Sequence, residues 1–137
     1  MTEEFIFHVW FATKRRRWLL VGEVEEAIKT ILWEIAKDKG IDLLECETMV
    51  DHVPLLVRAQ SEELPRMMHA LKGAASRRVS QRFPELRLDG AVPSLWQRSY
   101  KAEAVPNEAA GRVAAYIKTQ RERLDAFDRP YRRGQLV

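Results

Sequence analysis

Apolar positions along the chain follow two rhythms. At 5–12, FIFHVWFA, aromatic and β-branched side chains run unbroken, which predicts a strand. Phe5, Phe7, Val9 and Phe11 fall on one face, and Ile6, His8, Trp10 and Ala12 on the other. A strand apolar on both faces belongs in the middle of its sheet. Over 23–39 the rhythm changes, and Val24, Ala27, Ile28, Ile31, Leu32 and Ile35 recur at helical spacing. Glu23, Glu25 and Glu26 open this helix and Lys37 and Lys39 close it, both complementing the macrodipole. Gly40 is a natural stop.

Residues 42–59 read as two strands with Met49, Val50 and Asp51 near the turn. Val53, Leu55 and Val57 share one face; His52, Pro54, Leu56 and Arg58 share the other. Pro54 has no N–H for a ladder, which predicts an edge strand or a bulge. A second helix is expected over 62–83, built on Leu64, Met67, Met68, Leu71, Ala75 and Val79 and ended by Pro84. Residues 95–105 read as a strand, and Asn107 caps a third helix over about 108–124. The order β-α-β-β-α-β-α matches, in its first six elements, the split βαβ ferredoxin-like arrangement. The expected fold is α+β: an antiparallel sheet with helices on one face, plus a C-terminal helix. A single domain is expected over 1–126. The Arg-rich tail, 127–137, is expected to be loosely ordered unless a partner chain or DNA holds it.

Composition narrows the class. At 46% apolar and 31% charged, the chain is globular and not disordered. No apolar run nears the ~20 residues of a membrane span. The start, MTEEF, has no basic region leading into an apolar core, so no secretory signal is visible and the cytoplasm is the expected compartment. The single cysteine, Cys46, excludes an internal disulfide and a multi-Cys zinc site. Charge is unevenly placed. Residues 1–63 carry 8 basic and 13 acidic groups, a net of −5; residues 64–137 carry 15 and 7, a net of +8. Sixteen of the 23 bases are arginine, the fork that suits phosphate oxygens. A polyanion partner or a solvated basic face both fit this pattern. The candidate DNA contacts are Lys14, Arg15 and Arg16 after the first strand, Lys72, Arg77 and Arg78 on the second helix, and Arg112 on the third.

Chemistry is sparse elsewhere. The three histidines, His8, His52 and His69, show no metal spacing by themselves, and no Gly-rich phosphate loop is present. On the third helix Tyr116 and Gln120 lie four apart and share a face, with Arg112 and Arg123 near it. A phenol among guanidiniums has the makings of a nucleophile for a phosphodiester. With a pKa of ~10 it needs a metal or cationic neighbours. An amphipathic tyrosine bordering an apolar stripe is the alternative.

Five segments together resemble the single-tyrosine HUH transposases. ETMVDHVPLLV resembles that family's metal-binding strand, which reads acidic residue, His, apolar residue, His. FHVWFATKRRR resembles its first strand and basic exit, LKGAASRR its second-helix motif, and LWQRSYKAEAV its late strand. VAAYIKTQRE resembles the helix bearing its tyrosine and a polar metal ligand four residues on. The resemblance implies action on single-stranded DNA hairpins through a 5′-phosphotyrosine, with Mg or Mn at the scissile phosphate. It also implies a homodimer whose sheets join, the tyrosine helix of one chain serving the other chain's site. It makes Tyr116 the nucleophile, and His52 and Gln120 metal ligands. The chain departs from the pattern where the second histidine should stand: Pro54 has no side-chain lone pair. His8 is a substitute ligand if the first strand lies beside this one. A binding module that kept the fold without the cleavage is the second reading. A dimeric interaction protein using the Arg-rich tail is the third.

Overall fold

The computed structural model describes residues 3–86 and 95–120. Four strands form one antiparallel sheet: β1 (Glu4–Ala12), β2 (Asp42–Cys46), β3 (His52–Gln60) and β4 (Lys101–Val105). Their order is β2-β3-β1-β4, the ferredoxin-like order, with β1 and β3 interior. Helices α1 (Gly22–Lys39) and α2 (Leu64–Arg82) cover one face. Val9, Phe11, Val53, Leu55 and Val57 point into this layer and meet Ile28, Leu32, Ile35, Met68 and Leu71. The two-residue period of the strands and the helical stripes therefore close on each other as the sequence predicts. The chain leaves α1 through Gly40 at φ 67, a left-handed cap that glycine adopts without steric cost.

The opposite face is not left open. After a 3₁₀ turn at Asn107–Ala109, a third helix, α3 (110–120), lies across it. Ile117 is fully buried against Ile6, Leu56 and Val105, the apolar residues of the other strand parity. Lys118 Nζ reaches Glu45 Oε2 on β2 at 3.4 Å, so α3 spans the sheet from β4 to β2. The end of the expected 108–124 helix, the boundary at 126 and the tail lie outside the described residues.

Two expectations change. Pro54 is on neither an edge strand nor a bulge. It sits in interior β3, opposite Trp10, and the one register slip is on β2 between Leu43 and Glu45. Its carbonyl accepts from Glu47 N–H at 3.1 Å. Because N–H and C=O of a strand residue point to the same side, the missing donor faces the stretch just past β2, where regular pairing has ended. One lost ladder bond is therefore the whole backbone cost.

The expected strand at 95–105 is regular only from Lys101 onward. The cause is Lys72. Its ammonium donates to the carbonyls of Gln97, Arg98 and Ser99 at 2.7, 3.2 and 3.1 Å, turning them toward α2. Trp96 Nε1 donates to Lys72 O at 3.1 Å, and the Trp96 ring meets Phe11 edge-on at 4.8 Å. Lys72 is thus buried, with its ammonium committed to these three carbonyls in the free chain. Burial pushes its ammonium below the usual lysine range. Lys72→Met keeps the stem but leaves three carbonyls without their donor. It should cost about 3 kcal/mol in urea unfolding, and an unchanged midpoint would show the clamp to be idle.

Candidate active site

The end of β1 and the start of β3 meet at the pair Ala12–His52. Just past Ala12 the chain makes a tight turn at Lys14–Arg16, with Arg15 at φ 61 and Arg16 at φ 55. Two successive non-glycine residues in the left-handed region cost energy that surrounding contacts must offset. Here Thr13 N–H donates to Asp51 O at 2.8 Å, and Thr13 Oγ1 donates to Arg17 O at 2.7 Å. The turn sets Arg16 Nε 3.1 Å from Asp51 Oδ2, and Asp51 Oδ1 takes His52 Nδ1 at 2.8 Å. With Nδ1 held by a carboxylate, the Nε2 lone pair of His52 is the one left for a ligand.

Burial alone would raise the Asp51 carboxyl. The His52 hydrogen bond and the Arg16 charge outweigh it and hold the group below the usual aspartate range. A depressed folded pKa contributes stability that is complete above the unfolded value of ~3.9 and lost as pH falls through the folded value. Asp51→Asn should therefore flatten the acid limb of the melting-temperature curve below about pH 4. Parallel curves for the two proteins would remove Asp51 from this role.

His52 opens onto a cavity of about 220 Å³ between the sheet and α3, lined by His8, Trp10, His52, Pro54, Tyr116 and Gln120. The three residues singled out on the third helix and the HVP strand are thus together, in a single chain. The cause is the anchoring of Ile117. With its side chain in the sheet, Tyr116 and Gln120 fall to the flank facing the cavity, one turn apart. Tyr116 is 54% exposed. Arg112 is exposed one turn earlier. Arg123 lies outside the described residues.

The cavity is a poor metal cage. His52 and Gln120 offer one imidazole nitrogen and one carboxamide oxygen, and the wall between them is Pro54, which offers nothing. No group of three or more His, Cys, Asp or Glu placed to hold a metal occurs among the described residues. His8 does not complete the set. β1 does lie beside β3, but the register puts His8 opposite Leu56, four residues from the Ala12–His52 pair. At ~3.3 Å per residue that is about 13 Å along the strand, too far for two imidazoles rising from the sheet to share an ion.

The basic candidates scatter. Arg15 is exposed at the turn, and Arg16 is exposed but paired with Asp51. Lys14 lies in the same turn. Arg78 pairs with Asp38 at 3.3 Å across the α1–α2 surface. Arg77 borders a second cavity, of about 510 Å³, together with His69, Gly73, Ser76 and Arg98. That cavity lies between α2 and residues 95–100, away from Tyr116. Three residues at or beside the site are not singled out by the sequence: Asp51, Trp10 and Glu103, whose Oε1 stands 3.7 Å from His8 Nδ1. The adjacency of Asp51 to His52 was the available signal for the first. The other two depend on strand pairing. Cys46 is fully buried, which pushes its thiol up to about 12 and leaves it inert.

Comparison with known proteins gives concordant results. The family described as "Transposase IS200 like" matches residues 1–120. The ISDra2 transposase TnpA of Deinococcus radiodurans is 34% identical over 118 residues, 85% of this chain and 84% of that protein. The transposase for insertion sequence element IS200 of Salmonella typhimurium is 30% identical over 117 residues, 85% of this chain and 76% of that protein. A solved transposase structure from Deinococcus radiodurans R1 superposes with a TM-score of 0.69 at 35% identity, covering 88% of this chain and 93% of that one. A REP-associated tyrosine transposase bound to a REP hairpin shares the fold, with a TM-score of 0.59 at 12% identity over 85% of this chain and 66% of that one.

Proposed function

The chain belongs to the IS200-like transposase family, and from that premise we propose that it acts on single-stranded DNA hairpins, with Tyr116 as nucleophile and Pro54 weakening the cleavage. The observation that carries this reading is the cavity that gathers Tyr116, His52 and Gln120 under one helix. The phenolic oxygen attacks the scissile phosphorus, the bond to the 3′-oxygen breaks, and a 5′-phosphotyrosine and a 3′-hydroxyl result. His52, oriented by Asp51, and Gln120 would hold Mg or Mn only weakly, since they offer two donors, and a bound ion would supply charge at the scissile phosphate. Arg112 and the Lys14–Arg16 turn flank the cavity with positive charge for the phosphate backbone.

A second reading has one specific observation in its favour. Pro54 occupies the ligand position, so a hairpin-binding module that no longer cleaves fits the same cavity. The REP hairpin held by a protein of the same fold suggests the DNA form to use. Hairpin DNA should bind without metal, with affinity falling steeply between about 50 and 200 mM salt. Tyrosine-linked DNA in Mn then supports the transposase reading. Salt-sensitive binding without adduct supports the binding module. Salt-independent affinity would sink both.

Assembly belongs to the same reading. β4 is an edge strand whose residues 101–104 are exposed. A homodimer in which two sheets join through such edges removes the unpaired ladder. In this chain α3 lies on its own sheet, so both halves of the cavity come from one chain. A monomeric mass at micromolar concentration would count against the dimer.

A further inference from the structure

We propose that His8 is the general base that takes the phenolic proton of Tyr116. This rests on the reading of Tyr116 as the nucleophile, and goes beyond it by giving the proton a destination. Three observations carry it. His8 and Tyr116 line the same small cavity. His8 Nε2 is sealed from water and has no hydrogen-bond partner, the one such side-chain atom among the described residues. An orphaned buried nitrogen of this kind is costly; in the free chain the 54% exposed Tyr116 gives it no hydrogen bond, and the phenol is proposed to turn inward when DNA binds. Nδ1 stands 3.7 Å from Glu103 Oε1 on β4. A carboxylate on that side places the ring proton on Nδ1 and leaves Nε2 as the lone pair, the tautomer a base requires.

The placement along α3 fits the same division of labour. Ile117 clusters with Leu56, the strand partner of His8, which brings the turn of α3 that carries Tyr116 to the level of His8. Gln120, one turn on, lines the cavity with Pro54 and His52. His8 is then too far from His52 to share its ligand, and near the phenol instead. The groups around the imidazole are few. Glu103 faces it from β4, Leu56 is its partner on β3, and Trp10 meets it from its own strand, ring centroids 5.0 Å apart, while Tyr116 of α3 shares its cavity. Lys101, two positions along β4, and Arg112, one turn before Tyr116, are the nearby cations by placement on their elements. Burial lowers the imidazole pKa more than Glu103 raises it, so the ring is neutral and able to accept at neutral pH.

The step balances. The O–H proton of Tyr116 passes to His8 Nε2 as the phenolic oxygen bonds to phosphorus. The P–O3′ bond breaks with its electron pair on the 3′-oxygen, which takes a proton from solvent. The imidazolium returns its proton to solvent.

The test follows formation of Tyr116-linked DNA from a labelled hairpin, in the natural protein and in the Pro54→His protein. His8→Gln should lower the rate ~100-fold near pH 7, with hairpin affinity unchanged. The deficit should shrink as pH rises and hydroxide takes over the base's task. Incorporation of 3,5-difluorotyrosine at 116, whose phenol ionises near neutrality, should restore the His8→Gln protein to within a few-fold. A deficit that is flat with pH and not relieved by difluorotyrosine would overturn the proposal and leave His8 a packing residue. A His8→Gln rate equal to the natural one would overturn it outright. Should His8→Gln not fold, His8→Asn carries the same comparison. No adduct in either background overturns the nucleophile reading itself, and the base with it; adduct formed without dependence on His8 overturns the base alone.

Discussion

Tyr116→Phe should abolish covalent attachment of hairpin DNA while leaving binding within about twofold. The change removes one oxygen. In the free chain that oxygen is on a 54% exposed side chain, so folding loses little. The anchoring of α3 comes from Ile117 and the Lys118–Glu45 pair, which the substitution does not touch. The positive groups proposed to meet the phosphates, Arg112 and the Lys14–Arg16 turn, are also unchanged. A nucleophile, by contrast, has no substitute in this cavity. The other lining residues are two imidazoles, an indole, a proline and a carboxamide, and none forms a stable phosphodiester by displacement. Denaturing gels of labelled DNA read the adduct, and fluorescence anisotropy reads binding. Adduct that persists in Tyr116→Phe would move the chemistry to another residue.

Pro54→His should raise Mn-dependent cleavage at least tenfold over the natural sequence. Two arguments support this. The first is ligand count. Residue 54 is two positions from His52 on one strand face, ~7 Å away, so both imidazoles leave the sheet side by side. With Gln120 across the cavity the donor set rises from two to three, and two of the three are nitrogens suited to Mn. The second is the backbone. Pro54 already accepts from Glu47 N–H, and histidine adds the N–H that the ladder lacks on the same side. Stability should hold or improve by up to about 1 kcal/mol. The ring has room, since residue 54 lines the 220 Å³ cavity beside half-buried Trp10. Mn titration by calorimetry tests the site apart from turnover. If the natural protein binds Mn and cleaves as well as the variant, Pro54 is not the defect, and the two-donor site suffices.

The element order, the parity of each strand and the apolar stripes of α1 and α2 were legible in the sequence. These features follow from local periodicity. A strand alternates every residue and a helix returns every 3.6, and 46% apolar content is enough to write both patterns clearly. The pairing of Tyr116 with Gln120 was legible for the same reason. So was the placement of His52 and Pro54 on one face.

What tertiary structure decided was whatever depends on register and on buried polar groups. Lys72 looked like a surface base on a helix flank. Its neighbours 25 residues later make it a clamp on the carbonyls of 97–99, and no local pattern announces a donor for three distant carbonyls. Pro54 argued for an edge. It is interior because its missing N–H faces the point where β2 has already stopped, a matter of where two strands end relative to each other. His8 gave the sequence one question, whether β1 lies beside β3. The fold answers yes, and the register then separates His8 from His52 and sets it under the tyrosine helix. Periodicity says which face a side chain takes. Only the pairing of strands says which other side chain it meets there, because one face of a four-stranded sheet offers many partners and the hydrogen-bond register chooses among them.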